Sequence, residues 1–322
     1  MKYLERMTDR GILALPPERP FDVVGLGGNA VDHLITIPQF PRPDTKVKFL
    51  DYRLQAGGRT TTPLVTLSRL GFRCRYLGGV GDDEEGRAAL RDLRSEKIDT
   101  AGVRVRPGGL TQRAFILIEP ESGRRTIVWG RSEGMPLRPE EIDADLIRAG
   151  RMLYTDGQDP RTAASAARIA RAAAMPVLAD LEDIRPGLDE LLPLLDVLIA
   201  PVGFPPLVTG HPAGEESLRR LEERTGGALV VLTLGDRGCL TRVDGRVERF
   251  PAYRVEVRDT TGAGDLFHAA FAAACLRGIT LAEACDFSNA VAAMGCRGVG
   301  GRGALPGGFE EVDRFRSTTP HL

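Results

Sequence analysis

Lysine is scarce in this chain of 322 residues. Of its 43 basic residues only four are lysines, Lys2, Lys46, Lys48 and Lys97, and none of them follows a glycine. A P-loop NTPase needs a Gly-Lys-Ser/Thr sequence to cradle phosphates, so that class is excluded. An enzyme that works through a Schiff base would have to use one of these four lysines.

Cysteine and an excess charge of one sign are also lacking. The five cysteines are widely spaced with no Cys-x-x-Cys pair, which predicts buried free thiols and a reducing compartment, the cytoplasm, rather than a disulfide or zinc framework. The 43 basic residues are balanced by 44 acidic ones, which argues against nucleic acid or an anionic membrane as a partner. Proline, aspartate and glycine interrupt the longest apolar stretch, 191–204, so we expect no membrane span.

Glycine, by contrast, is abundant. The chain has 38 glycines, where ordinary usage would give about 23. There is no collagen period, and 42% of the residues are apolar. This surplus therefore predicts a folded protein with many tight turns or close approaches of the backbone to a ligand.

Apolar runs alternate with helical segments from residue 21 onward. The alternation predicts an α/β fold with a mostly parallel central sheet and helices on both faces. β-branched segments at about 31–55 and 103–130 predict two insertions that pair into a small β-sheet lid, with a hairpin turn at 121–123. We expect an N-terminal tail at 1–20 and one α/β domain at 21–322.

A glycine motif lies between a predicted strand at 253–257 and a predicted helix near 265–277; it reads Asp259-Thr260-Thr261-Gly262-Ala263-Gly264-Asp265. Backbone N–H groups at a helix N-terminus converge on an anion, and the helix dipole favours negative charge there. Asp265, in the first turn, is expected to stay ionised and to accept a proton from a substrate hydroxyl beside the same anion. This geometry fits phosphoryl transfer, although an Asp N-cap on a glycine loop accounts for the motif equally well.

Two other glycine motifs are less specific. The run Gly25-Leu26-Gly27-Gly28-Asn29-Ala30 matches the dinucleotide fingerprint, but β-branched residues and Pro38 follow where a helix is needed. A nicotinamide-dependent oxidoreductase is therefore a disfavoured alternative. Gly57-Gly58, before a predicted helix, marks a hinge or a ligand contact, and a plain turn also accounts for it.

Taken together, these motifs resemble the PfkB (ribokinase-like) carbohydrate kinases. The 259–265 run is similar to the family's C-terminal signature, and Gly57-Gly58 with the glycines of 78–86 is similar to its N-terminal one. The resemblance runs from about 21 to 306 in the family's order. It implies a ribokinase-like fold with a β-sheet lid, ATP-dependent phosphorylation of a primary hydroxyl of a small sugar, and a homodimer formed through the lid.

The resemblance also implies residue roles. Asp265 is the base that deprotonates the acceptor hydroxyl, and the anion hole is formed by Gly262, Ala263 and Gly264. The positions that correspond to sugar contacts are Asp32, Gly57, Gly58 and Thr62. Those that correspond to nucleotide contacts are Thr233, Gly235 and Asn289. Carbonyl groups near Asp259 and Thr261 match a loop that holds a monovalent cation, K⁺, in many members.

The chain departs from the family pattern at two places. Thr62 replaces a frequent asparagine, so the sugar hydroxyl pattern read there should differ. Residues 202–205 lack the Asn-x-x-Glu that helps to organise magnesium in ribokinases, so ATP phosphates and water would hold Mg²⁺, with Asp180 or Glu182 as candidates. Both departures resemble the ketohexokinase-like and sulfofructose-kinase-like branches. They favour a ketohexose or a substituted ketohexose such as sulfofructose; alternatives are a ribokinase, a nucleoside kinase, or a non-catalytic sugar or nucleotide sensor.

Four arginines lie in or beside the predicted lid strands: Arg113, Arg124, Arg125 and Arg131. Arginine suits bidentate contacts with oxyanions, so one that faces the cleft would bind a phosphate or sulfonate on the sugar. Strand alternation directs about half of them to solvent. We select Arg131 as the substrate-binding candidate.

Overall fold

The computed structural model describes residues 11–121 and 124–322, which form two β-sheets with helices around the larger one. The strands are β1 (Phe21–Leu26), β2 (Ala30–Thr36), β3 (Asp51–Gly57), β4 (Cys74–Gly81), β5 (Asp99–Arg106), β6 (Arg113–Glu119), β7 (Arg124–Gly130), β8 (Gly150–Thr155), β9 (Val177–Asp180), β10 (Val197–Pro201), β11 (Leu229–Thr233), β12 (Cys239–Val243) and β13 (Arg246–Phe250). The helices are α1 (Thr61–Arg69), α2 (Glu84–Ser95), α3 (Ala144–Arg148), α4 (Pro160–Ala172), α5 (Leu188–Leu191), α6 (Phe204–Thr209), α7 (Glu215–Arg224), α8 (Ala263–Arg277), α9 (Leu281–Gly295) and α10 (Phe309–Thr318).

The larger sheet has nine strands in the order β13-β12-β11-β10-β9-β8-β1-β4-β5. From β11 to β5 the neighbours are parallel, and β12 and β13 add an antiparallel edge. Central strands such as β11 are almost continuously apolar because helices cover both faces of the sheet. The predicted α/β fold is confirmed. The parallel strands also bring their carboxyl ends to one edge, where the following loops meet.

Helix α8 is buried along nearly its whole length. Its sequence is rich in alanine, and eleven of its fifteen residues are buried. Small side chains let α1 and α9 pack closely against it, and together these helices cover one face of the large sheet. This packing places the N-terminus of α8 at the carboxyl edge of the sheet, where Ala263, Gly264 and Asp265 are only partly buried or exposed.

The smaller sheet is the predicted lid, with strand order β3-β2-β6-β7. Alternation along the strands divides its side chains between two faces. Leu34, Ile116 and Ile118 form a small buried cluster on the inner face. On the outer face Tyr52 and Phe115 are 48% and 43% exposed. The lid therefore presents an apolar outer surface.

Several expectations from the sequence were wrong in detail. Residues 103–106 belong to β5, which pairs with β4 in the large sheet, so the second lid segment begins only at Arg113. β5 is an edge strand of the large sheet and is only partly buried, as a lid strand would be. The alternation of its side chains therefore does not show to which of the two sheets it belongs. The stretch 253–257 is not a strand: Tyr253 forms one isolated bridge with His321, and no strand of residues 11–121 and 124–322 pairs with this stretch.

The N-terminal segment also differs from the expected tail. Ile12 and Leu13 are 1% and 7% exposed and join the core beside α8 and α9, so the tail is anchored to the domain at these two residues. Residues 1–10, and Ser122 and Gly123 of the predicted hairpin turn, lie outside the described residues. All five cysteines are unpaired, and four are buried, as predicted. No helix of the described part is long and apolar enough to cross a membrane.

Candidate active site

Two cavities open at the carboxyl edge of the large sheet. The first, of about 360 Å³, lies between the lid and the loops that follow β1, β8 and β9. The second, of about 240 Å³, is bordered by the loop after β11 and by α9. Both are lined by Thr260, Ala263 and Gly264, so they meet at the N-terminus of α8. We call them the lid cavity and the α9 cavity.

The turn before α8 requires glycine. Gly262 has φ +73°, in the left-handed region, and a Cβ atom there would lie 2.6 Å from the Cα atom of Gly301. The backbone of 262–265 thus turns sharply into the helix while it packs against the segment around Gly301. The first N–H groups of a helix have no intrahelical partner. They are therefore available to an anion at the junction of the two cavities.

Asp265 lines the lid cavity but not the α9 cavity. Burial raises the pKa of its carboxyl well above the ordinary value; the negative charges of Asp180, Glu182 and Asp32 raise it further, while Arg59 opposes them. From the sequence, the only expected influence on the Asp265 carboxyl was the helix N-terminus, which favours the ionised form and so lowers the pKa. The neighbouring carboxyl groups lie on β2 and at the end of β9, far from Asp265 in the sequence, and together with burial they make Asp265 a stronger base than an ordinary aspartate.

Arg59, directly after the hinge glycines, forms partly buried ion pairs in the same region. Its Nη2 lies 3.0 Å from Asp180 Oδ2, and its Nη1 lies 3.4 Å from Glu182 Oε2. Burial raises the pKa of Asp180 to about 6, and Arg59 opposes that rise. Asp180 Oδ1 is buried and has no hydrogen-bond partner in the described part of the chain. This oxygen remains available to a cation or to water.

His268 lies next to this ion pair. Its Nδ1 is 3.4 Å from Asp180 Oδ2, and burial lowers its pKa to about 3, so the imidazole is neutral. Asp180, Asp265 and His268 each offer one ligand atom within 4.8 Å of the others. Glu182 lines the lid cavity, whereas Asp180 lies behind it. Of the two magnesium candidates from the sequence, Glu182 is thus the one that faces the cavity.

The residues assigned to the sugar are only partly brought together. Asp32, Gly58 and Arg131 line the lid cavity. Burial raises the pKa of Asp32 to about 6, with Arg302 opposing and Asp259 adding to the rise. A Cβ atom on Gly57 would lie 2.1 Å from Asp32 Oδ2, so glycine is required there for the carboxylate to rest against the hinge.

Thr62 lies outside the lid cavity. It is 1% exposed, and its hydroxyl accepts a hydrogen bond of 3.3 Å from Arg302 Nε. The Arg302 guanidinium also pairs with Asp92, and the backbone N–H of Arg302 donates a hydrogen bond to Gln55 Oε1 at 3.0 Å. Thr62 therefore binds an arginine that is 240 positions away in the chain rather than facing the space where a sugar would lie.

The four arginines considered for the lid divide into two pairs. Arg113 forms ion pairs with Asp83 and Glu85, and Arg124 pairs with Glu119. Arg125 and Arg131 line the lid cavity, where Arg125 donates a hydrogen bond to Thr260. Trp129, also from β7, lines the same cavity.

The α9 cavity contains all three residues assigned to the nucleotide: Thr233, Gly235 and Asn289. The Asn289 amide donates to the carbonyl oxygens of Phe250 and Pro251 at 3.1 and 3.0 Å, which ties α9 to the loop after β13. The remaining wall includes Phe267 and Val255. An apolar cleft of about 240 Å³ suits a flat heterocyclic ring.

The carboxylate of Asp259 organises the loop before α8. Its Oδ1 accepts hydrogen bonds from the Thr261 N–H and hydroxyl at 2.9 and 2.7 Å, and its Oδ2 accepts one from Gly300 N–H at 2.8 Å. These bonds occupy the carboxylate. A cation bound to this loop would have to use backbone carbonyl oxygens, which is the arrangement that the family resemblance implies.

The sequence missed several residues of the lid cavity, among them Arg59, Asp156, Gln158 and Arg185. Asp156 accepts the Gly28 N–H at 2.7 Å and so fixes the first glycine loop. It follows β8 directly, and a polar residue at the carboxyl end of a parallel strand was a signal that was available. Arg59 and Arg185 carried no comparable signal, because only the folded loops bring them to the cavity.

Comparison with known proteins places this geometry in a family. A model described as "pfkB family carbohydrate kinase" matches residues 26–306. The ribokinase of Haemophilus influenzae is 25% identical over 288 residues, covering 87% of this chain and 94% of that protein. The 2-dehydro-3-deoxygluconokinase of Thermoproteus tenax is 30% identical over 272 residues, covering 79% and 83%.

A solved structure has the same fold as this chain. Ribokinase from Thermotoga maritima aligns with a TM-score of 0.77 at 24% identity, covering 92% of this chain and 100% of that one. The family match spans the lid, the lid cavity, all of the α9 cavity wall except Leu322, and the loop before α8. The chain therefore belongs to the pfkB family of carbohydrate kinases, and it is a phosphotransferase that uses ATP to phosphorylate a sugar or nucleoside.

Proposed function

We propose that this protein phosphorylates a primary hydroxyl of a ketohexose or a substituted ketohexose such as sulfofructose, with Asp265 as the base. One observation carries the proposal: the lid cavity and the α9 cavity meet at Ala263 and Gly264, and Asp265 faces only the lid side. A donor in one cavity and an acceptor in the other would have their reacting ends at the same helix N-terminus.

The reaction follows from that arrangement. The adenine ring of ATP occupies the α9 cavity beside Thr233, Gly235 and Asn289. The γ-phosphate of ATP reaches the N–H groups of 262–264. The sugar occupies the lid cavity, where Asp32 accepts hydrogen bonds from its hydroxyls. Asp265 takes the proton of the primary hydroxyl, the oxygen attacks the γ-phosphorus in line, and ADP leaves with the electrons of the broken P–O bond.

Enzymes of this family use ATP with a divalent metal, and we infer that Mg²⁺ is held mainly by the ATP phosphates. Glu182 faces the lid cavity and fits as an outer ligand, whereas Asp180 lies behind the cavity with one buried oxygen that has no partner in the described residues. Mg²⁺ supplies charge neutralisation at the phosphates when it is bound. We also infer a K⁺ site on carbonyl oxygens near Asp259 and Thr261, because hydrogen bonds fix the conformation of that loop.

The oligomeric state and location complete the proposal. The apolar outer face of the lid, with Tyr52 and Phe115 exposed, supports a homodimer in which two lids pack together. The five unpaired cysteines support a reducing compartment, the cytoplasm.

The decisive test is Asp265→Asn, with ADP release measured across a panel of sugars. Loss of the general base should lower kcat by about 100-fold to 10,000-fold, with ATP affinity largely retained because Asp265 lies outside the α9 cavity. Asp145→Asn is the matched control, since Asp145 also lies in the first turn of a helix but far from the site. Wild-type turnover in Asp265→Asn would reject the assignment, and wild-type ATP binding without turnover on any sugar would favour a sensor.

A further inference from the structure

Residues 319–322, which we call the strap, contribute to the wall of the α9 cavity. Leu322 lines this cavity together with Val255 and Phe267. Among the described residues, it is the one member of the wall that lies beyond residue 306, where the family match ends. The Leu322 side chain is 57% exposed, so much of its apolar surface is open to a ligand in the cavity.

Backbone hydrogen bonds join the strap to a second part of the cavity wall. This part, residues 252–257, forms no strand of its own. Leu322 N–H donates to the Ala252 carbonyl oxygen at 2.8 Å, and Arg254 N–H donates to the Pro320 carbonyl oxygen at 2.9 Å. The strap therefore takes the place of a neighbouring strand and satisfies backbone groups on both sides.

His321 anchors the strap through its side chain. Its ring centroid lies 4.2 Å from that of Tyr253, and its Nε2 lies 3.0 Å from Asp286 Oδ1. The same oxygen accepts a hydrogen bond from the Tyr253 hydroxyl at 2.8 Å, and Asp286 Oδ2 accepts one from Arg316 Nε at 2.7 Å. Asp286 lies on α9, three residues before Asn289. One carboxylate thus connects the strap to the helix that borders the cavity.

The strap is held by few contacts, and these lie near the surface. The His321 and Asp286 side chains are 44% and 25% exposed. Partly exposed polar contacts stabilise only weakly, and segments of this kind open locally while the remaining fold stays intact. The position of the strap is therefore an equilibrium that a ligand in the α9 cavity shifts toward the docked form.

We propose that the strap positions the nucleotide: Leu322 contacts the adenine ring of ATP, and His321 acts as a positioning residue that holds Leu322 and residues 252–257 in place. This inference rests on the proposed function, because it requires the base of ATP in the α9 cavity. The ring covers apolar surface of Leu322 that is otherwise exposed, and the bound ring in turn stabilises the docked strap. The strap acts on the phosphoryl donor and leaves the acceptor sugar unaffected.

Calorimetric titration with ATP in the absence of sugar tests the contact. Leu322→Ala removes the contact surface and His321→Ala removes the anchor, so each should weaken ATP binding about 5-fold to 10-fold. Leu207→Ala is the matched control, because Leu207 on α6 is 55% exposed and lies outside both cavities. Ala292→Phe places a large side chain in the cavity wall and should weaken ATP binding more than either strap variant.

Steady-state kinetics separate positioning of the nucleotide from general damage to the fold. Both strap variants should raise the KM for ATP by the same factor as the dissociation constant. The kcat at saturating ATP and the KM for sugar should stay at the wild-type values. A variant that merely loosened the structure would change these two values as well, and that result would count against the inference.

Hydrogen exchange reports the docking of the strap directly. The N–H groups of Arg254 and Leu322 are bonded between the two segments, so ATP at about ten times its Kd should slow their exchange about 10-fold. The inference is overturned if ATP leaves this exchange unchanged, or if both strap variants bind ATP like wild type while Ala292→Phe does not. Wild-type ATP affinity in Ala292→Phe as well would instead reject the α9 cavity as the nucleotide site, and with it the placement of ATP in the proposed function.

Discussion

Gly262→Ala is the sharpest probe of the turn before α8. The residue has φ +73°, and an added Cβ atom would lie 2.6 Å from Gly301 Cα and 3.2 Å from Gly301 O. Both are backbone atoms, so they cannot move aside as a flexible side chain would. The methyl group therefore has to push the 262–265 backbone away from the segment that contains Gly301.

Gly210 provides a matched control. It has φ +72° at the end of α6, and a Cβ atom there would meet nothing within 4 Å. The left-handed conformation should destabilise either alanine variant by about 1–2 kcal/mol. Only Gly262→Ala also displaces the N–H groups at the cavity junction. Misplacing one such donor typically lowers kcat by about 100-fold to 1,000-fold.

Urea unfolding and ADP-release kinetics at saturating ATP separate the two effects. We expect both variants to lose similar unfolding free energy, with a further loss for Gly262→Ala, and only that variant to lose most of its kcat. The reasoning is refuted if Gly262→Ala retains the wild-type kcat or if Gly210→Ala loses as much.

Two further predictions concern the hinge. Burial raises the pKa of Asp32 to about 6, from 3.8 in the unfolded chain. The protonated carboxyl therefore contributes its full stability below pH 3.8, and this contribution is lost as the pH rises through 6. Asp32→Asn should therefore exceed wild type in unfolding free energy by about 3 kcal/mol at pH 8 and by little at pH 4; equal urea midpoints at pH 8 would contradict this. Arg302→Met leaves Asp32 without an opposing charge and Thr62 without its partner, so the KM for sugar should rise about 10-fold while the KM for ATP, measured alongside, stays constant.

The architecture was largely predictable from the sequence. Alternating apolar runs and helical segments predicted the parallel sheet, because burial on both faces leaves a continuous apolar signal. The start of α8 was predictable because the glycine turn and the acidic residue in the first turn are signals that can be seen in the local sequence. The stretch 253–257 failed because its β-branched residues lack a neighbouring strand, and pairing is not a local property.

The site was less predictable where it depends on contacts between distant loops. Arg59 and Asp180 are 121 positions apart, and Thr62 and Arg302 are 240 apart. From the sequence, Thr62 was expected to change a contact with the sugar. In the structure its hydroxyl instead accepts a hydrogen bond from Arg302, in the C-terminal glycine segment. The rise in the pKa of Asp265 has a similar origin, because after burial its causes are the carboxyl groups of Asp180 and Glu182 at the end of β9 and of Asp32 on β2, all distant in the sequence.

The glycine segment around Gly300 joins the loop before α8 to the lid. Gly300 N–H binds Asp259, and Arg302 N–H binds Gln55 on β3. The lid is consequently not an interchangeable module. Replacing its strands with those of a relative, in order to transfer sugar preference, would leave residues 298–303 matched to the wrong hinge, so a working chimera has to exchange both segments together.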